Sequence, residues 1–401
     1  MLELTTTKVN SLLLKLKRVS FSLSLLFLLI EFFDELTFGI NGAALPSLRR
    51  ELQLTYAQTG LLLGLPGILS TFIEPAILLL GDTDLRKRLV AGGGLIMAFS
   101  LLLVAGARSY PLLLLAFVLS FPASGAFVTL SQATLMDLNP SREPHMMARW
   151  TVAGTLGNLI GPLLLAGGFS LALGWRWAYV FLALFGIALT LLCLVRPFPA
   201  HLAANNHSPS PARLLANLRE AVRNPGMLRW IGLLQTSDLM MDVFTSFLAL
   251  YFTDLAGATL AQASLILSAA MLADLGSDLV LIPLLERVPG RSLVRASAGL
   301  TAGLYILWLL VPGLAAKVVL LLFIRFFTMG WYQILQGEAY ASVPGKSATV
   351  AAVDSLAGFG GSLLIWTLGL IADRFGLGAA MWLLLIGPVS LWLFIPRHRV
   401  A

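Results

Sequence analysis

The chain has 401 residues, of which 58% are hydrophobic and only 12% charged, about half the charged share of a soluble domain; an ordinary water-soluble globule is excluded. A net charge of +7 invites a nucleic-acid partner, but the basic residues flank apolar segments in the pattern that orients membrane proteins, and no nucleic acid is expected. The single Cys193 excludes a disulfide framework, and His145, His201, His207 and His398 all fall outside the apolar segments, so no soft-metal site is expected.

Twelve apolar stretches approach or exceed the ~20 residues that cross a bilayer as a helix. In chain order they are 20–46, 56–81, 89–107, 111–137, 147–172, 176–195, 229–253, 262–285, 293–311, 317–341, 348–372 and 377–395. All read as helix, because period-two alternation is absent and a helix satisfies its own backbone groups in lipid. The first follows a basic start but is too long for a signal-peptide core and has no small-residue cleavage site after it, so it is read as a span. With the N-terminus inside, the inner segments hold 20 of the 27 Lys and Arg and the outer ones six, which predicts both termini on the cytoplasmic side. The expected setting is a bacterial inner membrane, crossed many times.

Between the sixth and seventh stretches lies the longest polar segment, 196–228, with Asn205 to Pro211 followed by a predicted amphipathic helix over Ala212–Arg223. It reads as a cytoplasmic linker between six-helix halves at 1–195 and 229–401. Its Arg213, Arg219 and Arg223 fit either anionic lipid headgroups or a regulatory partner.

Shifting the chain by 204 residues aligns the halves, and such repeats are read before motifs. Asp34 falls on Asp238, Ala57-Gln58 on Ala261-Gln262, Glu74 on Asp278, Gln132 on Gln336 and Ala153-Gly154 on Ala357-Gly358, while Glu31 falls on Gln235. Both halves begin and end on one side, so the repeat is parallel, as in transporters whose two bundles rock about a central site.

Well inside the stretches sit the carboxylates Glu31, Asp34, Glu35, Glu74, Asp238, Asp242, Asp274 and Asp278. An ionised Asp near a helix centre costs about 2.5–3.5 kcal/mol on insertion scales, so these acids must be protonated, hydrated or matched by a cation. Three pairs, Glu31/Glu35, Asp238/Asp242 and Asp274/Asp278, are four apart and share a helix face. Arg325 alone offers a positive charge deep in a stretch.

Twelve spans, a long central loop and a six-plus-six parallel repeat resemble the major facilitator superfamily across essentially the whole chain. The loop Gly81 to Arg88 resembles the family's Gly…Asp-Arg loop motif. Gly154, Gly157 and Gly161-Pro162 in the fifth stretch resemble the glycine-proline motif of its proton-coupled exporters, and glycines at such spacing also let a neighbouring helix approach closely. Glu31 through Asp34, Gly42, Pro46, Tyr56-Ala57-Gln58, Gly60 and Pro75 look loosely like fosmidomycin-resistance-type exporters.

That resemblance implies an all-α membrane fold whose first and seventh helices line a central cavity, with Asp34 and Asp238 approaching it from opposite sides. Glu31, Asp34, Asp238 and Asp242 would bind protons or a cationic substrate in competition. Glu74, Asp274, Asp278, Asp84 and Arg86 would serve as gates or secondary proton sites. Arg325 would either neutralise an acid or meet an anionic group of the substrate. Phe38, Asn41, Gln132, Asn158, Trp331, Gln333 and Gln336 are candidate cavity groups.

No Gly-x-x-x-x-Gly-Lys-Ser/Thr motif occurs, so a proton gradient is the expected energy source, with no cofactor. A membrane enzyme or sensor would need a catalytic motif such as His-Glu-x-x-His or a sizeable head, and the sequence has neither. The expectation is a monomeric secondary transporter exporting a cationic or amphipathic small molecule in contact with membrane lipid; coupled uptake and lipid or lysolipid movement stand as alternatives.

Overall fold

The computed structural model describes residues 2–81, 85–139, 143–196, 198, 223–328, 330–342 and 347–396. Among these, every regular element is helical. The first half comprises α1 (Leu2–Glu51), α2 (Tyr56–Gly81), α3 (Arg86–Gly106), α4 (Tyr110–Asp137), α5 (Glu143–Ser170) and α6 (Arg176–Val195). The second begins with α7, which is Pro225–Asp238, a π turn Leu239–Val243 and Phe244–Asp254. Then come α8 (Leu260–Leu285), α9 (Gly290–Leu310), α10 (Leu314–Phe327, resuming as Trp331–Ala341) and α11 (Ser347–Phe375). The last, α12, is Leu377–Met381, a 3-10 turn and Ile386–Phe394. Most of the expected linker, its amphipathic helix included, and Asp84 lie outside the described residues.

Ten of these helices are long and apolar enough to cross a membrane. The two that fall short are α1 and α7, which carry Glu31, Asp34 and Glu35 and Asp238 and Asp242. The acids of α1 and α7 thus lie on the two helices that fall short of that mark.

Local chemistry explains several starts. Asn224 accepts hydrogen bonds from the N–H groups of Gly226 and Met227 ahead of Pro225, a capped helix entry. The repeated Ala-Gln dipeptide belongs to two capping boxes. Thr55 with Gln58 opens α2 and Thr259 with Gln262 opens α8, each side chain accepting the other's backbone N–H.

The glycines of α5 seat it on α1. A Cβ on Gly161 would lie 2.7 Å from the Leu36 carbonyl oxygen, one on Gly39 of α1 would lie 2.7 Å from that of Asn158, and one on Gly157 would collide with the Phe32 carbonyl. The two backbones therefore touch, and any side chain at these positions would push the helices apart. Between the halves, α2 lies along α11 and α5 along α8.

At the end of the bundle away from the termini the halves are tied together. Arg49 of α1 pairs with Asp254 of α7 at 2.6 Å, and the Tyr56 hydroxyl donates to the same carboxylate at 3.0 Å. Asp373 of α11 accepts the Tyr56 and Ala57 N–H groups at 2.6 and 2.8 Å. At the termini end each half has its own ion pair, Arg86–Asp137 and Arg291–Glu338.

Candidate functional site: an acidic cavity between the halves

A cavity of about 460 Å³ lies between the two bundles, lined from α1 by Glu31, Glu35 and Phe38, from α5 by Trp150, Gly154 and Asn158, and from α7 by Asp242 and Thr245. Asp274 of α8, Gln132 of α4 and Arg325 and Tyr332 of α10 complete its polar and aromatic wall. Gly154 is small for a reason: a Cβ there would lie 2.6 Å from Glu31 Oε1. Gln132 reaches across the wall to the Met147 sulfur at 3.6 Å.

The one cation of this wall is engaged. Arg325, 6% exposed, donates from Nε to Asp274 Oδ1 at 2.9 Å, and its Nη2 meets the other carboxylate oxygen. Nη1 turns to α7, reaching Thr245 Oγ1 at 3.1 Å and the carbonyls of Met240 and Met241 at 3.3 and 3.4 Å. Among the described contacts Glu31 and Glu35 face the cavity without such a partner, and Asp242 is close enough to feel the Arg325 charge without a hydrogen bond to it. Among the described residues no group of three or more His, Cys, Asp and Glu is placed to hold a metal ion.

A second cavity, of about 220 Å³, lies inside the first half and is lined by Asp34, Glu35, Asn41, Glu74 and Ser124 among others. Ser124 donates to Asp34 Oδ1 at 2.8 Å, and Gly125, at the start of the α4 π turn Gly125–Thr129, makes room for the Glu74 carboxyl. Asn41 accepts the Tyr179 hydroxyl at 2.8 Å. Glu35 and Phe38 line both cavities and form the partition between them.

The expected meeting of Asp34 and Asp238 across one cavity is not what the structure displays. Successive residues on a helix point ~100° apart, and α1 uses that angle to turn Glu31 and Glu35 to the centre and Asp34 into its own bundle. Asp238 stands near Asp354 of α11 as well as Asp242. Asp354 in turn accepts from Gln235 at 3.2 Å and from Gln336. Gln336 therefore belongs to a polar cluster of the second half, and Gln333 lines neither cavity. Trp331 is fully buried, its indole N–H donating to Ser297 at 2.9 Å; the break in α10, with Gly330 at φ +70°, turns it into the core. Arg86 binds the Gly81 carbonyl at 2.6 Å and Asp137, so it links α2, α3 and α4 of the first half. The Asp278 side chain is outside what the structure describes. Pro162 packs beside Gly39.

Glu35, next to Asp34 in the chain, lines the cavity beside Glu31, and neither the repeat nor a motif marks Asp354, Asp254 or Asp373 for the places they take. Asp354 has Trp150 as its repeat mate, so the repeat supplied no acidic echo.

Residues 27–365 match the model of the Major Facilitator Superfamily. No curated protein matches the chain. Among solved structures, a bacterial homologue of the human lysosomal transporter Spinster, inward-facing and unoccupied, is 16% identical with a TM-score of 0.76, covering 95% of this chain and 96% of that one. The nucleoside transporter NupG is 17% identical with a TM-score of 0.74, covering 92% and 97%. At this identity the likeness is one of fold.

Proposed function

Because the chain belongs to the major facilitator superfamily and is therefore a membrane transporter, we propose that it exports an organic cation or cationic amphiphile in exchange for protons, by alternating access. One observation carries this reading: acids from both halves, Glu31 and Glu35 on α1 and Asp242 on α7, face one cavity whose single cation, Arg325, is engaged by Asp274. Carboxylates gathered among membrane-spanning helices hold either protons or a cation, and a site that must choose between them couples their movements. Phe38, Trp150 and Tyr332 beside the acids suit the apolar body of such a substrate, and aromatic faces attract cations.

The ties between Arg49 and Asp254 and between α2 and Asp373 close the end away from the termini. With the termini in the cytoplasm, as the basic residues favour, the cavity would load from inside and empty outward, in a bacterial inner membrane. The proton gradient would be the energy source, with no cofactor, and a single chain suffices as the working unit. Thermal unfolding of the purified protein with tetraphenylphosphonium at pH 6 and pH 8 tests the reading, because a ligand bound only to the folded state raises stability by mass action. Stabilisation at pH 8 that shrinks at pH 6 supports competition. Stabilisation by neutral nucleosides or sugars, equal at both pH values and absent with the cation, overturns it.

A further inference from the structure

The π turn in α7 has no counterpart in the first half, where the repeat-related residues 35–39 lie in the regular helix α1. In the turn, the Phe244 N–H bonds back to Leu239, five residues earlier, and not to Met240, four earlier. A single such turn leaves one carbonyl of the helix ladder over, and a leftover buried carbonyl needs a donor. Arg325 supplies it: Nη1 reaches the carbonyls of Met240 and Met241 and Thr245 Oγ1, while Nε and Nη2 hold Asp274. Thr245 also donates to the Met241 carbonyl. Asp242 sits in the middle of this clamped turn and faces the central cavity.

We propose that Arg325 is a positioning residue: its guanidinium clamps the π turn of α7 and thereby sets where the Asp242 carboxylate stands in the cavity. The clamp uses the planar fork that distinguishes Arg from Lys, because one group must serve α8 with two nitrogens and α7 with the third. A point charge could balance Asp274 but could not hold the turn as well. Asp274 acts in the same device from the other side, fixing the fork so that Nη1 aims at α7. The inference stands on this geometry and not on the nature of the substrate, so failure of the exchange reading leaves it intact.

The test uses the full-length protein in nanodiscs and needs no substrate. Hydrogen exchange is followed over residues 239–247, and the pH dependence of carboxyl labelling by dicyclohexylcarbodiimide is read by mass spectrometry at Asp242 and Glu31, in wild type, Arg325→Lys and Arg325→Gln. The expected result is exchange at least tenfold faster over this segment in both variants. The half-labelling pH of Asp242 should differ from wild type by a unit or more, with that of Glu31 unchanged. Arg325→Lys behaving as wild type would mean that charge alone suffices and would overturn the clamp, as would equal shifts at Asp242 and Glu31 or no change in either variant. If the Arg325 variants do not fold, Thr245→Val removes one acceptor of Nη1; exchange about threefold faster over the segment supports the clamp, and an unchanged rate contradicts it.

Discussion

Asp373, at the end of α11 in the second half, accepts the backbone N–H of Tyr56 at 2.6 Å at the first residue of α2 in the first half. One half thus satisfies two N-terminal N–H groups of a helix in the other, beside that helix's own Thr55–Gln58 box, and opening that end of the bundle must release them. Replacing a capping Asp by Ala costs about 0.5–2 kcal/mol. We expect Asp373→Ala together with Asp254→Ala to loosen the closed end. With Ser246→Cys as a reporter in a Cys193→Ser background, labelling by an impermeant maleimide from the side away from the termini should rise several-fold.

The contact between α1 and α5 admits no side chain. A Cβ on Gly161 would lie 2.7 Å from Leu36 O and 3.0 Å from Ile40 N, both backbone atoms that cannot yield by rotation. Gly161→Val should cost about 1–3 kcal/mol through overpacking, read as a lower unfolding midpoint. Gly167, which has nothing within 4 Å of its Cβ position, should accept Ala with little change.

Glu51, just past the apolar part of α1, is bound by Arg176 and by the Trp175 indole N–H at 2.7 Å. Burial pushes its carboxyl up, but the Arg176 and Trp175 hydrogen bonds and the Arg176 charge outweigh it and hold the group below its ordinary value of 4.5. A depressed carboxyl stabilises the fold above its unfolded-state pKa, and that stability is lost as pH falls through the folded-state value. Glu51→Gln should therefore lower stability at pH 7 and leave it nearly unchanged near pH 3. The pair is half exposed, so the effect stays within about 0.2–1 kcal/mol, measured by thermal unfolding across that pH range.

The all-helical membrane fold was legible in the sequence because it rests on patterns of composition and spacing. Even the Ala-Gln match at 57–58 and 261–262 encoded a real device, the paired capping boxes. The Arg325–Asp274 pair was half legible: one deep cation among acids had to meet one of them. Which acids share a cavity was not legible. Glu31 and Glu35 face the centre and Asp34 faces Ser124 because of how α1 is rotated against α5, and the glycines that set this rotation give its closeness without its angle. The π turn of α7 left no sequence mark at all, since Leu239 to Val243 would suit a regular helix equally well.

The central claim is that protons and a cation compete for the carboxylates of the cavity. Its most direct test counts protons released when tetraphenylphosphonium is added to purified protein in weak buffer near neutral pH. Release of about one proton or more per bound cation in wild type, and less in Glu31→Gln and Asp242→Asn, is the predicted result. Cation binding without proton release, or release that survives both substitutions together, would contradict it.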